Sequence, residues 1–242
     1  MAALLPHRNL RSIEALSRRD VLALLDTAHA LKRASRCGAP HRLLRGKNLA
    51  VLFESPLDAN DTFDVAATEL GAHVALLRPS DSSLDAGLDM PATARLLGRL
   101  YDGIDCEGLP TGVVGELDRH AGVPVFDGLS RPEHPAAVLA ELMSMAEMGG
   151  KPLGELSLCL VGAPPTRAAE ALLRAAALAS VQVHDGRCPA PAGGADFFCG
   201  TSPESPALWI RAATEDTGAA FDRERRNNRH YALQALLVST IA

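Results

Sequence analysis

Aromatic residues are scarce: they make up 4% of 242 residues, and there is one tryptophan. A core of stacked rings is excluded, so the interior must be packed from aliphatic side chains and alanine. Long basic runs are missing too. No stretch of five or more consecutive Lys or Arg occurs, and the net charge is −5. Nucleic-acid backbones are held by concentrated basic surfaces, so nucleic acid is not expected as a partner. No apolar run approaches the roughly 18 residues of a membrane span, and no membrane association is expected. The opening residues "MAALLPHRNL" have neither the basic start nor the long apolar stretch of a secretory signal. The five cysteines, Cys37, Cys106, Cys159, Cys188 and Cys199, are odd in number and form no CxxC pair. They read as reduced structural thiols, and the expected location is the cytoplasm.

What is present is ordinary for a soluble globular chain: 47% apolar and 22% charged residues. Ser17 followed by Asp20 forms a near capping box before a helix. Val21, Leu24, Leu25, Ala28 and Leu31 recur there at helical spacing. "NLAVLFE" has no polar alternation and fits a strand covered on both faces. Phe63, Ala66, Ala67 and Leu70 mark the next helix, which Gly71 can close. "HVALL" is a strand, Pro91 suits the first turn of a helix, and "GIDCEG" makes a poor strand. "TGVVGELDRHA" reads as a helix, "VPVF" as a strand, and a further helix runs from Pro135 to Gly149.

From residue 151 the pattern starts again. "ELSLCLVG" is a strand, Thr166 opens a helix, "VQVH" is a strand, and "ADFFC" and "ALWIRA" are two further short strands. The chain closes on a helix with a charged first half and an apolar second half. Repeated βα units imply parallel sheets with helices on both faces. The expected architecture is α/β, with two doubly wound parallel-sheet domains. The first spans 1–150. The second, 151–221, is reduced, and the helix 222–242 packs back on the first domain.

Several landmarks occur in one order: "LLRGKNLAVLFESP", "TFDVAATELGAHVALLRPSDSSL", "ATARLLGRLYDGI", "VPVFDGLSRPEHPAAVLAELMSM", "LCLVG" and, in the last helix, "NNRHYALQALL". Together they resemble the aspartate/ornithine carbamoyltransferase family, and its ornithine branch more, through "GLSRPEHP" and "PSDSSL". The resemblance implies a first domain that binds carbamoyl phosphate. It implies an amino-acid substrate between the domains, whose amine attacks the carbamoyl carbon. It also implies a trimer with active sites between subunits, and no metal or organic cofactor.

The family's ligand-holding residues are largely replaced. Its phosphate cradle is a Ser-Thr-Arg-Thr-Arg turn, where helix N–H groups and two guanidiniums hold the anion. The matching turn here is "SPLDAND". Ser55 keeps a hydroxyl, while Asp58, Asn60 and Asp61 stand where threonines and arginines would be. Read without the family, Asp58 and Asp61 cap the following helix; a substrate ammonium would be a second use. The arginine expected after the third strand is absent, and Asp105, Cys106 and Glu107 stand there instead. In the family's His-Pro-Cys-Gln the histidine and glutamine hold the carbamoyl group. Here His134 remains and Ala137 replaces the glutamine, leaving His134 as either a ligand remnant or a helix-start residue. The Asp-x-x-x-Ser-Met-Gly loop and the His-Cys-Leu-Pro segment are missing. Cys199 stands near the latter, as a relic of the catalytic cysteine or as a strand-end residue. Arg167, at a helix start, reads as a solvated arginine or an anion contact.

The candidate site is therefore Ser55, Asp58, Asn60 and His134 for substrate, with His134 and Cys199 as catalytic remnants and no metal ligands. Three uses follow. The first is a degenerate family member that serves as an oligomer, or as the partner of a related transferase, with a small-molecule ligand in doubt. The second is an enzyme of altered substrate that uses Asp58, Asp61, Glu107 and His134. The third is an amino-acid-binding module in the cleft between domains.

Overall fold

The computed structural model describes residues 5, 9–38, 42–54, 62–78, 89–162, 166–185, 194–202, 205–213 and 218–241. Helix α1 (Arg18–Arg36) begins at the expected box. Ser17 N donates to Asp20 Oδ2 at 2.9 Å, and Asp20 N donates to Ser17 Oγ at 3.3 Å. Two orphan helix donors are thereby satisfied reciprocally. The apolar stripe from Val21 to Leu31 is buried.

The chain divides into two compact units. Unit 1 comprises Met1–Arg11, Ala30–Arg131 and Leu233–Ala242; unit 2 comprises Ser12–His29 and Pro132–Ala232. The division falls at 131/132, ahead of the sequence boundary near 150. The reason is the helix Pro135–Gly149 (α5), whose partners lie in unit 2. It packs on the helix Arg167–Leu178 (α6), and its Ser144 and Glu147 accept hydrogen bonds from Asn228 of the last helix, Gly218–Ile241 (α7).

Unit 1 is built on a parallel sheet. Its strands are β1 (Asn48–Phe53), β2 (His73–Leu77), β3 (Gly103–Glu107) and β4 (Val125–Phe126), in the order β2-β1-β3-β4. All but the first residue of β1 are buried, as an all-apolar interior strand requires. Alternate side chains serve opposite faces. Ala50 and Leu52 join Ile104 and Cys106 under α3 (Met90–Leu100) and α4 (Thr111–Ala121). On the other face Gly103 lies against Ile241 of α7 and Leu49. There Gln234 of α7 donates to the Ala66 carbonyl of α2 (Thr62–Glu69) at 3.3 Å. The closing part of α7 thus packs on the first domain, as expected of a returning helix.

Unit 2 carries β5 (Ser157–Gly162), β6 (Gln182–Asp185), β7 (Phe197–Ser202) and β8 (Ser205–Ala212), in the order β6-β5-β7-β8. The first three are parallel; β8 runs antiparallel to β7. The second sheet is therefore parallel except at this one edge strand. Only residues 203–204 separate β7 from β8, whereas a parallel return needs a crossover of about a dozen residues. Gly200 is required at that hairpin. A Cβ there would lie 2.3 Å from the Val161 carbonyl oxygen and 2.7 Å from the Trp209 ring. No helix among the described residues is long and apolar enough to cross a membrane.

Candidate functional site

The strand ends of unit 1 are where a βα fold exposes its loops to ligands. The turn after β1, with Ser55, Asp58, Asn60 and Asp61, lies outside the described residues. The end of β3 is described and is tightly organised. "GIDCEG" is a full, central strand, paired with both β1 and β4. Asp105 is a charged residue in an interior strand, and its buried carboxylate has a use. Oδ1 accepts from Cys106 N at 3.0 Å and from Leu129 N at 3.1 Å. Burial, with Asp105 and Asp127 nearby, pushes the Cys106 thiol far above its usual range. It is a neutral core side chain.

Glu107 continues the pattern. Oε1 accepts from Ser130 N at 2.9 Å and Oε2 accepts from Ser130 Oγ at 2.6 Å. Arg131 pairs with Asp127 at 3.1 Å. The carboxylates at the end of β3 are therefore directed onto the backbone and side chains of residues 127–131.

His134 is 1% exposed and caps α5. Its Nδ1 accepts from Ala136 N at 3.2 Å, so the ring proton sits on Nε2. This is the helix-start role. Ala137 is buried and has no polar group to offer. Cys199 is fully buried within β7, and desolvation pushes its thiol up to about 12. A catalytic thiol needs a lowered value and access; this one has neither. Arg167 is the exposed first residue of α6, and the cap there is supplied by Thr166, which accepts from Ala169 N. Among the described residues, no group of three or more His, Cys, Asp or Glu could hold a metal ion.

One feature is not visible in the sequence. Within unit 2, Ala137, Ala140 and Glu141 of α5 face Asp222, Arg225, Arg226 and Arg229 of α7 across a pocket of about 190 Å³. Arg225 Nε sits 2.9 Å from Glu141 Oε2 and its Nη1 3.2 Å from Asp222 Oδ1. Desolvation raises Glu141 to about 7, against the opposing pull of Arg225. The charged first half of the last helix is the available signal, but its partner helix lies far away in sequence.

Residues 8–147 match the family model described as aspartate/ornithine carbamoyltransferase, carbamoyl-P binding domain. The chain belongs to the aspartate/ornithine carbamoyltransferase family. Among curated carbamoyltransferases, the ornithine carbamoyltransferase of Actinobacillus pleuropneumoniae serotype 5b is 40% identical over 163 residues, covering 67% of this chain and 49% of that protein. The ornithine carbamoyltransferase of Cutibacterium acnes is 42% identical over the same length and share. The chain thus spans about half the length of the curated relatives it matches. Ornithine carbamoyltransferase from Thermus thermophilus superposes with a TM-score of 0.74 at 24% identity, over 98% of this chain and 100% of that one. A putative aspartate carbamoyltransferase from Trypanosoma cruzi gives 0.74 at 19% over the full length of both. At these identities the structures establish the carbamoyltransferase fold.

Proposed function

We propose that this chain is a carbamoyltransferase-family protein that no longer transfers the carbamoyl group. Its fold is kept for assembly, as a homotrimer or in a hetero-oligomer with a related transferase, in a structural or regulatory role. One observation carries this reading. Where the family resemblance leads to an arginine, Glu107 stands with both carboxylate oxygens committed to Ser130. A charge pair near 4 Å is worth about 4 kcal/mol at an effective dielectric of about 20. Exchanging attraction for repulsion therefore costs several kcal/mol, or roughly a thousandfold or more in affinity. The turn "SPLDAND" adds carboxylates and no cation, and Ala137 cannot hold a carbamoyl group by hydrogen bonds.

The altered-substrate reading needs Glu107 and His134 available for acid–base work. Glu107 is held by Ser130, and Nδ1 of His134 by Ala136 N. Buried free thiols at Cys106, Cys159 and Cys199 suit a reducing compartment, so we place the protein in the cytoplasm.

The test is product formation. Purified full chain is given carbamoyl phosphate with ornithine, and separately with aspartate. Citrulline and carbamoyl aspartate are expected at the level of a control without protein. Either product above that control overturns the proposal.

A further inference from the structure

The positive charge of this acidic chain is unevenly placed. Residues 27–53 hold Lys32, Arg33, Arg36, Arg42, Arg45 and Lys47, and no Asp or Glu. They carry six of the chain's 24 Lys and Arg and none of its 29 Asp and Glu, so the remainder has a net charge of −11 against −5 overall. The turn 42–47 leads into β1 and so lies at the amino-terminal end of the unit 1 sheet. Small ligands of α/β folds bind at the opposite end, beyond the carboxyl ends of the strands.

The turn is held in place. Leu44 is buried, and its N–H donates to the Leu70 carbonyl at 2.9 Å. Lys47 N donates to the Leu44 carbonyl at 3.0 Å, and His73 N to the Lys47 carbonyl at 2.9 Å. Gly71 permits the close approach: a Cβ there would lie 3.2 Å from Arg42 Cβ. Fixed on the junction of α2 and β2, the turn leaves Arg42, Leu43 and Arg45 exposed, Leu43 by 47%. Neither arginine has an ion-pair partner among the described residues. Lys47 is partly neutralised by Asp102 at 3.4 Å. Arg33 and Arg36 are exposed in the last turn of α1, where the helix dipole favours cations. The dipole gives no account of Arg42 and Arg45, which lie outside any helix. From Arg36 to Arg42 the chain can span at most about 21 Å, within the reach of one protein interface of roughly 800 Å² per partner.

The chemistry selects a partner. A nucleic-acid duplex or an anionic bilayer spreads negative charge over a whole face and would repel the acidic remainder of the chain. A folded protein can place carboxylates only where the cations are. The four exposed cations, Arg33, Arg36, Arg42 and Arg45, are all arginine, the cation enriched at protein interfaces. The guanidinium fork pairs with carboxylates through two hydrogen bonds, and Leu43 adds an apolar contact among them.

We propose that the turn 42–47 and the end of α1 form a docking surface for an acidic protein partner, engaged through Arg33, Arg42 and Arg45 around Leu43. This goes beyond the assembly reading, in which copies of one fold pair with each other, and it holds whether or not the chain is a trimer.

The experiment follows the fluorescence anisotropy of a labelled oligoglutamate peptide as the full chain is added. A short DNA duplex and phosphatidylserine vesicles serve as comparison probes. Saturable binding of the peptide is expected, weakened about tenfold or more when ionic strength rises from about 0.05 M to about 0.5 M. Arg42→Gln with Arg45→Gln should weaken it by about tenfold or more, and Arg33→Gln, on a separate element, should weaken it as well. Arg223→Gln with Arg226→Gln, an equal charge change at exposed positions of α7, should leave it unchanged. Absence of saturable binding overturns the proposal, as does an equal loss in the α7 pair, which would reduce the effect to net charge. Tighter binding of the duplex or the vesicles also overturns it. So does a change in the sedimentation of the chain alone on Arg42→Gln with Arg45→Gln, which would assign the surface to a second copy. The product assay does not enter, so failure here is distinguishable from failure of the proposed function.

Discussion

At the scale of single residues, the charge state of buried Glu141 is open to test. It is 9% exposed, and burial raises it from 4.5 to about 7 even though Arg225 lies beside it. The sign follows from linkage. A carboxyl raised in the folded state binds its proton more tightly there than in the unfolded chain. Its stabilising contribution is complete below about 4.5 and is lost as pH rises through about 7. Glu141→Gln is neutral at every pH and lacks this loss. The stability of the wild type relative to the variant, from urea unfolding, should fall by about 2–3 kcal/mol between pH 5 and pH 8. A difference that does not vary with pH would mean that Arg225 keeps the carboxylate ionised throughout. Thiol chemistry gives a second check. Cys106, Cys159 and Cys199 are buried and Cys37 is exposed. In brief labelling of the native protein with iodoacetamide, read by peptide mass spectrometry, Cys37 should be modified well before those three. Early labelling of Cys199 would restore it as a candidate nucleophile.

At the scale of elements, the close approach of α3 and α4 rests on Gly98. A Cβ there would lie 1.8 Å from the Ala121 carbonyl oxygen, a backbone atom that cannot swing away. Gly98→Ala should therefore cost about 1–3 kcal/mol despite its better helix propensity, measured as a shift in the denaturant midpoint. An unchanged or raised midpoint would mean that the helices separate without penalty. This contact also marks the limit of what was legible in advance. The capping box at Ser17 and Asp20, the apolar stripe of α1 and the strand β1 were readable because local spacing encodes them. β3 was undervalued because Asp105 is polar. Its use, holding Leu129 N across the loop, is a tertiary fact with no local signature. The direction of β8 was encoded only in the length of its connection to β7. The helix-start role of His134 could be named but not chosen, since the choice depends on where Nδ1 points. The α5–α7 pocket was invisible, because helical periodicity describes one face at a time and not which two faces meet.

At the scale of the whole molecule, the proposed function separates the ligand-holding positions from the core. Where the family resemblance implies ligand-holding residues, the sequence has "SPLDAND", Glu107 and Ala137. Apolar residues of β1, α5 and the closing turns of α7, and Phe63, Ala66 and Ala67 of α2, are buried. On the proposed function, assembly is the property expected to survive. The unit 1 sheet offers a reason of its own. β2 is one of its two edge strands among the described residues, with β4 the other, and Leu76 on it is 53% exposed, an arrangement that packing of another chain would cover. Sedimentation velocity on the purified chain, across a range of micromolar concentrations, should give a species of three times the 25.5 kDa chain mass. A single-chain mass throughout would remove the homotrimer. The hetero-oligomer would then be tested by adding a full-length ornithine carbamoyltransferase. A mixed species in the same experiment, with a changed rate of citrulline formation by the enzyme, is the outcome that a regulatory partner requires. If neither species forms, the retained core serves folding alone and the assembly role is lost.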